Sequence, residues 1–215
     1  MNVSVTLAIL LFTSLVSFTA FGSRKLIQEL IFYPPAITRQ GQWYRFFSCG
    51  LIHADWEHLL FNMLSLYLFG GIVETYYSSD ILFGQTGKVL YLALYIGALL
   101  FSLIPTFFKH RNDYQYRSLG ASGAVSAVVF AGILFNPTAR LGFFFIPPVI
   151  PGYIFGPLYL LLSTWLERKG KDNINHSAHI WGALFGLGFT IAAAALLKTD
   201  YHPVEQLISK IQAGN

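Results

Sequence analysis

Charge is what this chain has least of. Only 11% of its 215 residues are Asp, Glu, Lys or Arg, against about 25% in ordinary soluble domains, while 54% are hydrophobic. So little charge cannot clothe a water-facing surface, and lipid is the expected solvent for much of it. The net charge of +4 is small and scattered over loops, so nucleic acid is not expected as a partner. Cysteine is almost missing. A lone Cys49 excludes a disulfide within the chain and a thiolate metal site, and it reads as an inert buried thiol. The sequence holds no HExxH-type pair, and no metal is expected at the histidines it does have. Aromatic residues, by contrast, are plentiful. The 20 Phe and 12 Tyr suit lipid-facing surfaces and interfacial belts.

Crossing a bilayer takes about 20 apolar residues. Six segments come near that length, at about 3–22, 55–73, 88–108, 119–135, 152–166 and 177–197. The first has no positively charged n-region before it and reads as a span, not a cleaved signal. Asn136-Pro137 stops the fourth, and a proline cluster at Pro147, Pro148 and Pro151 precedes the fifth. The one long connection, 23–54, is rich in aromatics (Phe32, Tyr33, Trp43, Tyr44, Phe46, Phe47). It reads as an ordered interfacial loop, and ordered loops of that length are usually functional. The tail after Lys198 reads as short and polar. The whole of 1–215 reads as one all-α, polytopic membrane domain in contact with the lipid bilayer.

Polar groups inside such spans are costly and mark function by default. Spans two, four and six must share one direction, because a returning span separates each pair. His58 and Asn62 lie near the start of the second, Ser122 near the start of the fourth and His179 near the start of the sixth. All four are therefore expected in the same half of the bilayer. Small residues at four-residue spacing, Gly123, Ala127 and Ala131 on one span and Ala178, Gly182, Gly186 and Thr190 on another, let helices approach closely in lipid. If those stripes face each other, Ser122 and His179 become neighbours. A serine beside a histidine is the minimal nucleophile and base for acyl transfer. His58 and Asn62 share a helix face and are candidate donors to an oxyanion, together with the backbone N–H groups of Ala121 and Ser122 at the helix start. The same two side chains would also serve a purely structural bridge between helices. Glu74 lies at the far end of its span, and Asp113 and Asp172 lie in loops. The expectation is thus a Ser122–His179 dyad without a carboxylate, with Glu74 as a structural hydrogen bonder. His53 is expected to be structural too, and His110, His176 and His202 to be solvated.

These residues resemble the rhomboid family of intramembrane serine proteases. Trp43-Tyr44-Arg45 is similar to the family's first-loop motif, and His53, His58 and Asn62 to its second-helix motif. Gly70-Gly71 followed by Glu74 resembles the end of that helix. Gly120-Ala121-Ser122-Gly123 is similar to the nucleophile motif, and Ala178-His179 with Gly182 and Gly186 to the sixth-helix motif. The set spans roughly 43–186 in the family's order. The resemblance implies a six-helix bundle with Ser122 as nucleophile and His179 as general base. Its implied oxyanion hole is made by His58, Asn62 and the backbone of Ala121 and Ser122, with His53, Glu74, Arg45, Gly120, Gly123, Gly182 and Gly186 in support. It implies no cofactor. The implied substrates are single-pass transmembrane proteins that enter past the fifth helix and the first loop. The implied setting is a bacterial inner membrane, with the site opening to the extracytoplasmic side.

Two features depart from that pattern. Four residues after the nucleophile the family often has an aromatic side chain against the histidine, whereas Ser126 stands here; Phe130 or Trp181 is the expected substitute. In addition, ten of the 14 Lys and Arg fall on the dyad's side of a six-span topology, among them Arg39, Arg45 and Lys171. Counted by positive-inside, they place that side in the cytoplasm. The rival functions are a catalytically inactive, derlin-like membrane scaffold and a small transporter.

Overall fold

The computed structural model describes residues 4–142, 147–170 and 174–214. Six long helices dominate it: α1 (Val5–Phe21), α5 (Trp56–Tyr77), α6 (Gly87–His110), α7 (Ser122–Phe135), α8 (Gly152–Lys169) and α9 (His176–Leu196). Between α1 and α5 the first loop folds into α2 (Arg24–Leu30), α3 (Pro34–Gln40), α4 (Arg45–Ser48) and a 3-10 turn, Cys49–Leu51. A short hairpin pairs β1 (Arg140–Leu141) with β2 (Ile150–Pro151). An amphipathic α10 (Pro203–Ala213) follows the bundle.

The pattern of burial is inverted relative to a water-soluble bundle. On α1 the inward residues are Thr6, Thr13, Ser17 and Ala20, while Leu11, Phe12, Leu15 and Phe18 face out. Small and hydroxylated residues at helix contacts with bulky apolar residues outside are what packing in lipid favours. By length and composition α5, residues 84–110 and α9 suffice to cross a membrane, whereas α1 and α7 are apolar but shorter. At about 1.5 Å per residue, α7 is about 21 Å long, short of a hydrocarbon core of about 30 Å. It has no need to match the bilayer, because twelve of its residues are buried by neighbouring helices.

α5, α7 and α9 are parallel. The His58 ring lies against Gly120 near the start of α7, and the far ends meet where Tyr76 stacks on Phe135 and the Tyr77 and Thr190 hydroxyls bond at 2.8 Å. The two small-residue stripes do face each other. A Cβ at Gly182 would collide with the Gly123 carbonyl, and one at Gly186 with the Ala127 carbonyl.

Several boundaries differ from the sequence expectation. The proposed start of the first span at Val3 lies outside the described residues. α5 runs on from 73 to Tyr77 because its polar end is bonded inside the protein. The Glu74 carboxylate accepts from Ser4 Oγ at 2.7 Å and from the Val5 and Thr6 N–H groups at 2.8 and 2.9 Å, so it caps α1. α7 begins at Ser122 and not at 119, because Gly120 has φ +113°, which no helix admits. α8 continues to Lys169, where Gly170 ends it in the left-handed region. The tail expected to be merely polar forms α10, with Pro203 in its first turn, a position proline suits.

Candidate active site

The segment 118–122 is held from three sides before its serine is presented. Ser118 and Phe32 exchange backbone bonds at 2.9 and 3.1 Å, and Gly120 donates to the Cys49 carbonyl at 2.9 Å. The first loop thereby fixes the path of the chain into α7. That loop is itself anchored by buried Arg45, whose guanidinium donates to Gln42 Oε1 at 2.6 Å and to the Gln28 and Ile31 carbonyls at 2.9 and 2.7 Å. Phe32, Ile37, Phe46 and Cys49 pack on Leu103 and Phe107 of α6. Burial pushes the Cys49 thiol up to about 12, so it stays protonated and unreactive.

The third restraint is His53, which is fully buried. Ser17 Oγ gives its hydrogen to the Leu51 carbonyl at 2.8 Å and lies 2.8 Å from His53 Nδ1. It must therefore accept from an Nδ1–H, which leaves the Nε2 lone pair to accept the Ala121 N–H at 3.4 Å. Burial drives the His53 pKa down to about 3, with the adjacent His58 adding a smaller push in the same direction and Asp55 opposing. The ring is thus neutral in this role.

Gly120 then turns the chain, with the His58 ring occupying the space a side chain would need. Ser122 is the first residue of α7, and its N–H precedes the intrahelical ladder. His179 reaches it from α9 across the glycine contact, and its Nε2 lies 2.8 Å from Ser122 Oγ. Thirteen residues back from the Tyr76–Phe135 stack, Ser122 lies level with Met63, about 10 Å along from the start of α5.

The other expected donors are arranged unequally. Asp55 caps α5 by accepting the His58 N–H at 2.7 Å. Asn62 is buried and donates one amide hydrogen to the His58 carbonyl at 2.9 Å. The N–H of Ala121, expected at the oxyanion, donates to His53 Nε2 instead. Behind Ser122 is a cavity of about 10 Å³, lined by Ser102, Ser118, Gly120 and Asn175 among others. The Asn175 side-chain nitrogen is buried without a partner among the described residues. No three His, Cys, Asp or Glu side chains gather as a metal set among the described residues.

Three neighbours of the pair were not legible from the sequence. His176, expected to be solvated, is buried in the first turn of α9 and meets the His179 ring edge-on at 5.7 Å. Glu167, on the lengthened α8, accepts the Ser177 N–H at 3.1 Å and pairs with Lys109 at 2.8 Å, bracing the start of α9. The third is Tyr159. Neither Phe130 nor the half-exposed Trp181 is the ring stacked beside the imidazole. Tyr159 from α8 lies parallel to it, with centroids 6.2 Å apart and planes 23° apart, and its hydroxyl is 3.1 Å from Ser126 Oγ. The only sequence signal was the serine standing where an aromatic was expected.

A model of the Rhomboid domain matches residues 40–196. Among curated proteins, the chain is 29% identical over 157 residues to RHOMBOID-like protein 12, mitochondrial, of Arabidopsis thaliana, covering 67% of this chain and 45% of that one. It is 30% identical over 149 residues to the putative rhomboid protease YdcA of Bacillus subtilis (strain 168), covering 68% and 65%. It is 28% identical over 167 residues to the rhomboid protease AarA of Providencia stuartii, covering 71% and 56%. The matches thus take in roughly half to two thirds of these relatives' own length.

Proposed function

The chain belongs to the rhomboid family of integral membrane proteins, and on that premise we propose that it is a serine endopeptidase cutting peptide bonds in or near transmembrane segments of other membrane proteins, with Ser122 and His179 as its catalytic dyad. The observation that carries the reading is the 2.8 Å separation of Ser122 Oγ and His179 Nε2, which is hydrogen-bond reach for a nucleophile and its base.

Ser122 Oγ attacks the scissile carbonyl carbon while His179 Nε2 takes the hydroxyl proton. The carbonyl oxygen becomes an oxyanion facing the Ser122 N–H, the second amide hydrogen of Asn62 and the His58 ring. One such donor is worth about 2.7–4 kcal/mol to the transition state. The imidazolium returns its proton to the leaving amine, the C–N bond breaks and an acyl-serine remains. A water, deprotonated by His179, attacks the ester and frees Ser122 with the new carboxylate. A peptide bond in a membrane helix is shielded by its own hydrogen bonds, so the favoured substrates are single-pass spans weakened by small or helix-breaking residues.

We further propose a bacterial inner membrane with the site opening to the extracytoplasmic side. Several of the basic residues on that side have partners within the protein. Arg45 is buried on carbonyls, Arg39 lies over the Tyr114 ring at 5.0 Å, Arg117 over Tyr33 at 4.5 Å and Lys169 over Trp165 at 3.5 Å. Lys171 lies outside the described residues.

The test is labelling of the purified protein by a fluorophosphonate, run beside cleavage of a model transmembrane substrate in detergent. The parent is expected to be labelled and to cleave, and Ser122→Ala and His179→Ala to do neither. A parent inert to both assays sinks the protease in favour of a scaffold, and activity surviving in Ser122→Ala removes Ser122 as the nucleophile.

A further inference from the structure

We infer that Tyr159 is a positioning residue for His179, and that through it α8 controls how well the imidazole is aimed at Ser122. The inference rests on the dyad proposed above but concerns a residue outside it.

His179 must hold one ring orientation to keep Nε2 at the serine, and two side-chain torsions set that orientation. Tyr159 lies beside the imidazole, near-parallel to it, with ring centroids 6.2 Å apart. Its own ring is backed by Phe155, stacked at 6.0 Å, and flanked by Phe130 at 5.8 Å. The hydroxyl is fixed to Ser126 Oγ, a buried atom one helical turn below the nucleophile. Ser126 therefore stands where it does for a reason. It leaves room for a ring arriving from another helix and registers that ring by its hydroxyl.

The ring's origin gives the arrangement its consequence. Only Gly152, Phe155, Gly156 and Ser163 of α8 are buried, so it is the least enclosed of the long helices that touch the dyad, whereas α7 and α9 are locked glycine against backbone. A shift of α8 moves the ring that faces the imidazole without moving the backbone of either catalytic residue.

The experiment compares the parent with Tyr159→Leu, Tyr159→Phe and Ser126→Ala in the full chain in detergent, by fluorophosphonate labelling rate, by kcat and KM on a transmembrane substrate, and by thermal midpoint. Loss of the stacked ring is expected to lower the labelling rate and kcat about tenfold, since small misplacements of a reacting group cost up to about 100-fold, with KM within about twofold. Tyr159→Phe keeps the ring and is expected within about threefold of the parent, and Ser126→Ala likewise. A Tyr159→Leu protein labelled at the parental rate, or a Tyr159→Phe protein as impaired as Tyr159→Leu, overturns the inference. A second readout needs no proteolysis. In ¹³C-histidine-labelled Ser122→Ala, the His179 ring protons are expected to shift when Tyr159→Leu removes the ring current, and unmoved signals overturn the inference even if Tyr159→Leu fails to label. A parent that is never labelled defeats the protease reading instead, leaving the spectra to decide the placement of Tyr159.

Discussion

The two ends of α7 are built on opposite plans. At its C-terminal end everything is closed. Phe135 stacks on Tyr76 and meets Tyr77 and Tyr201, and its carbonyl accepts from the Lys210 ammonium of α10 at 2.6 Å, a cation where the helix dipole is negative. At its N-terminal end the chain is restrained up to Ala121 by partners from three other segments, and Ser122 then presents its hydroxyl to His179 at 2.8 Å. The contrast teaches that the chemistry has been placed where the backbone is held by neighbours and not by its own helix.

The strongest way to break the contrast is to force apart the helix contact beside the nucleophile. Gly182→Val would drive a side chain into the Gly123 carbonyl and wedge α7 from α9. A loss of about 3 kcal/mol is expected, at the upper end of what overpacking costs, read as a sharply lowered thermal midpoint in detergent, together with loss of fluorophosphonate labelling.

Acid is expected to attack the N-terminal end selectively. Because the His53 pKa is pushed down to about 3 by burial, the unfolded chain takes up a proton near pH 6.5 that the folded chain refuses. The stability due to neutral His53 is therefore complete above about pH 6.5. It falls by up to about 1.4 kcal/mol per pH unit as pH drops toward 3. Thermal midpoints measured from pH 7 to pH 4.5 should decline more steeply in the parent than in His53→Gln; equal slopes would refute the assignment.

Lys210→Met addresses the other end alone. Removing a charged donor from the Phe135 carbonyl should cost about 1–2 kcal/mol while leaving the labelling rate unchanged. A loss of labelling at constant stability would mean that the two ends are coupled through α7. Smallest in effect, Thr190→Val takes the hydroxyl partner from buried Tyr77 and should lower stability by about 1 kcal/mol, again with labelling intact.

What was legible in the sequence follows from period and direction. Parallel spans and facing small-residue stripes suffice to bring Ser122 beside His179, since both are properties of single helices taken in order. Glu74 at the far end of its helix was legible as a polar group needing a partner, though not as the cap of α1. What could not be read were contacts set by rotation of one helix about its axis relative to another. Tyr159 is one tyrosine of twelve on a helix whose buried face is narrow, and no spacing marks it. His176 looked like a loop residue because the start of α9 depends on Asn175, whose side chain accepts the Ala178 N–H at 3.0 Å. The Ala121 N–H looked free because its acceptor, His53, lies 68 residues away.

The Ser17 hydroxyl, finally, has an implication for where this molecule can be cut. The match to the Rhomboid domain starts at residue 40, which leaves α1 outside it. Yet Ser17 receives the His53 hydrogen that fixes the lone pair under Ala121, so the tautomer of a ring within the shared region is dictated from outside it. A border drawn by resemblance runs here through the middle of one proton-ordering chain, and a fragment trimmed to that border would keep the nucleophile while losing the group that decides which way its nearest histidine support is wired.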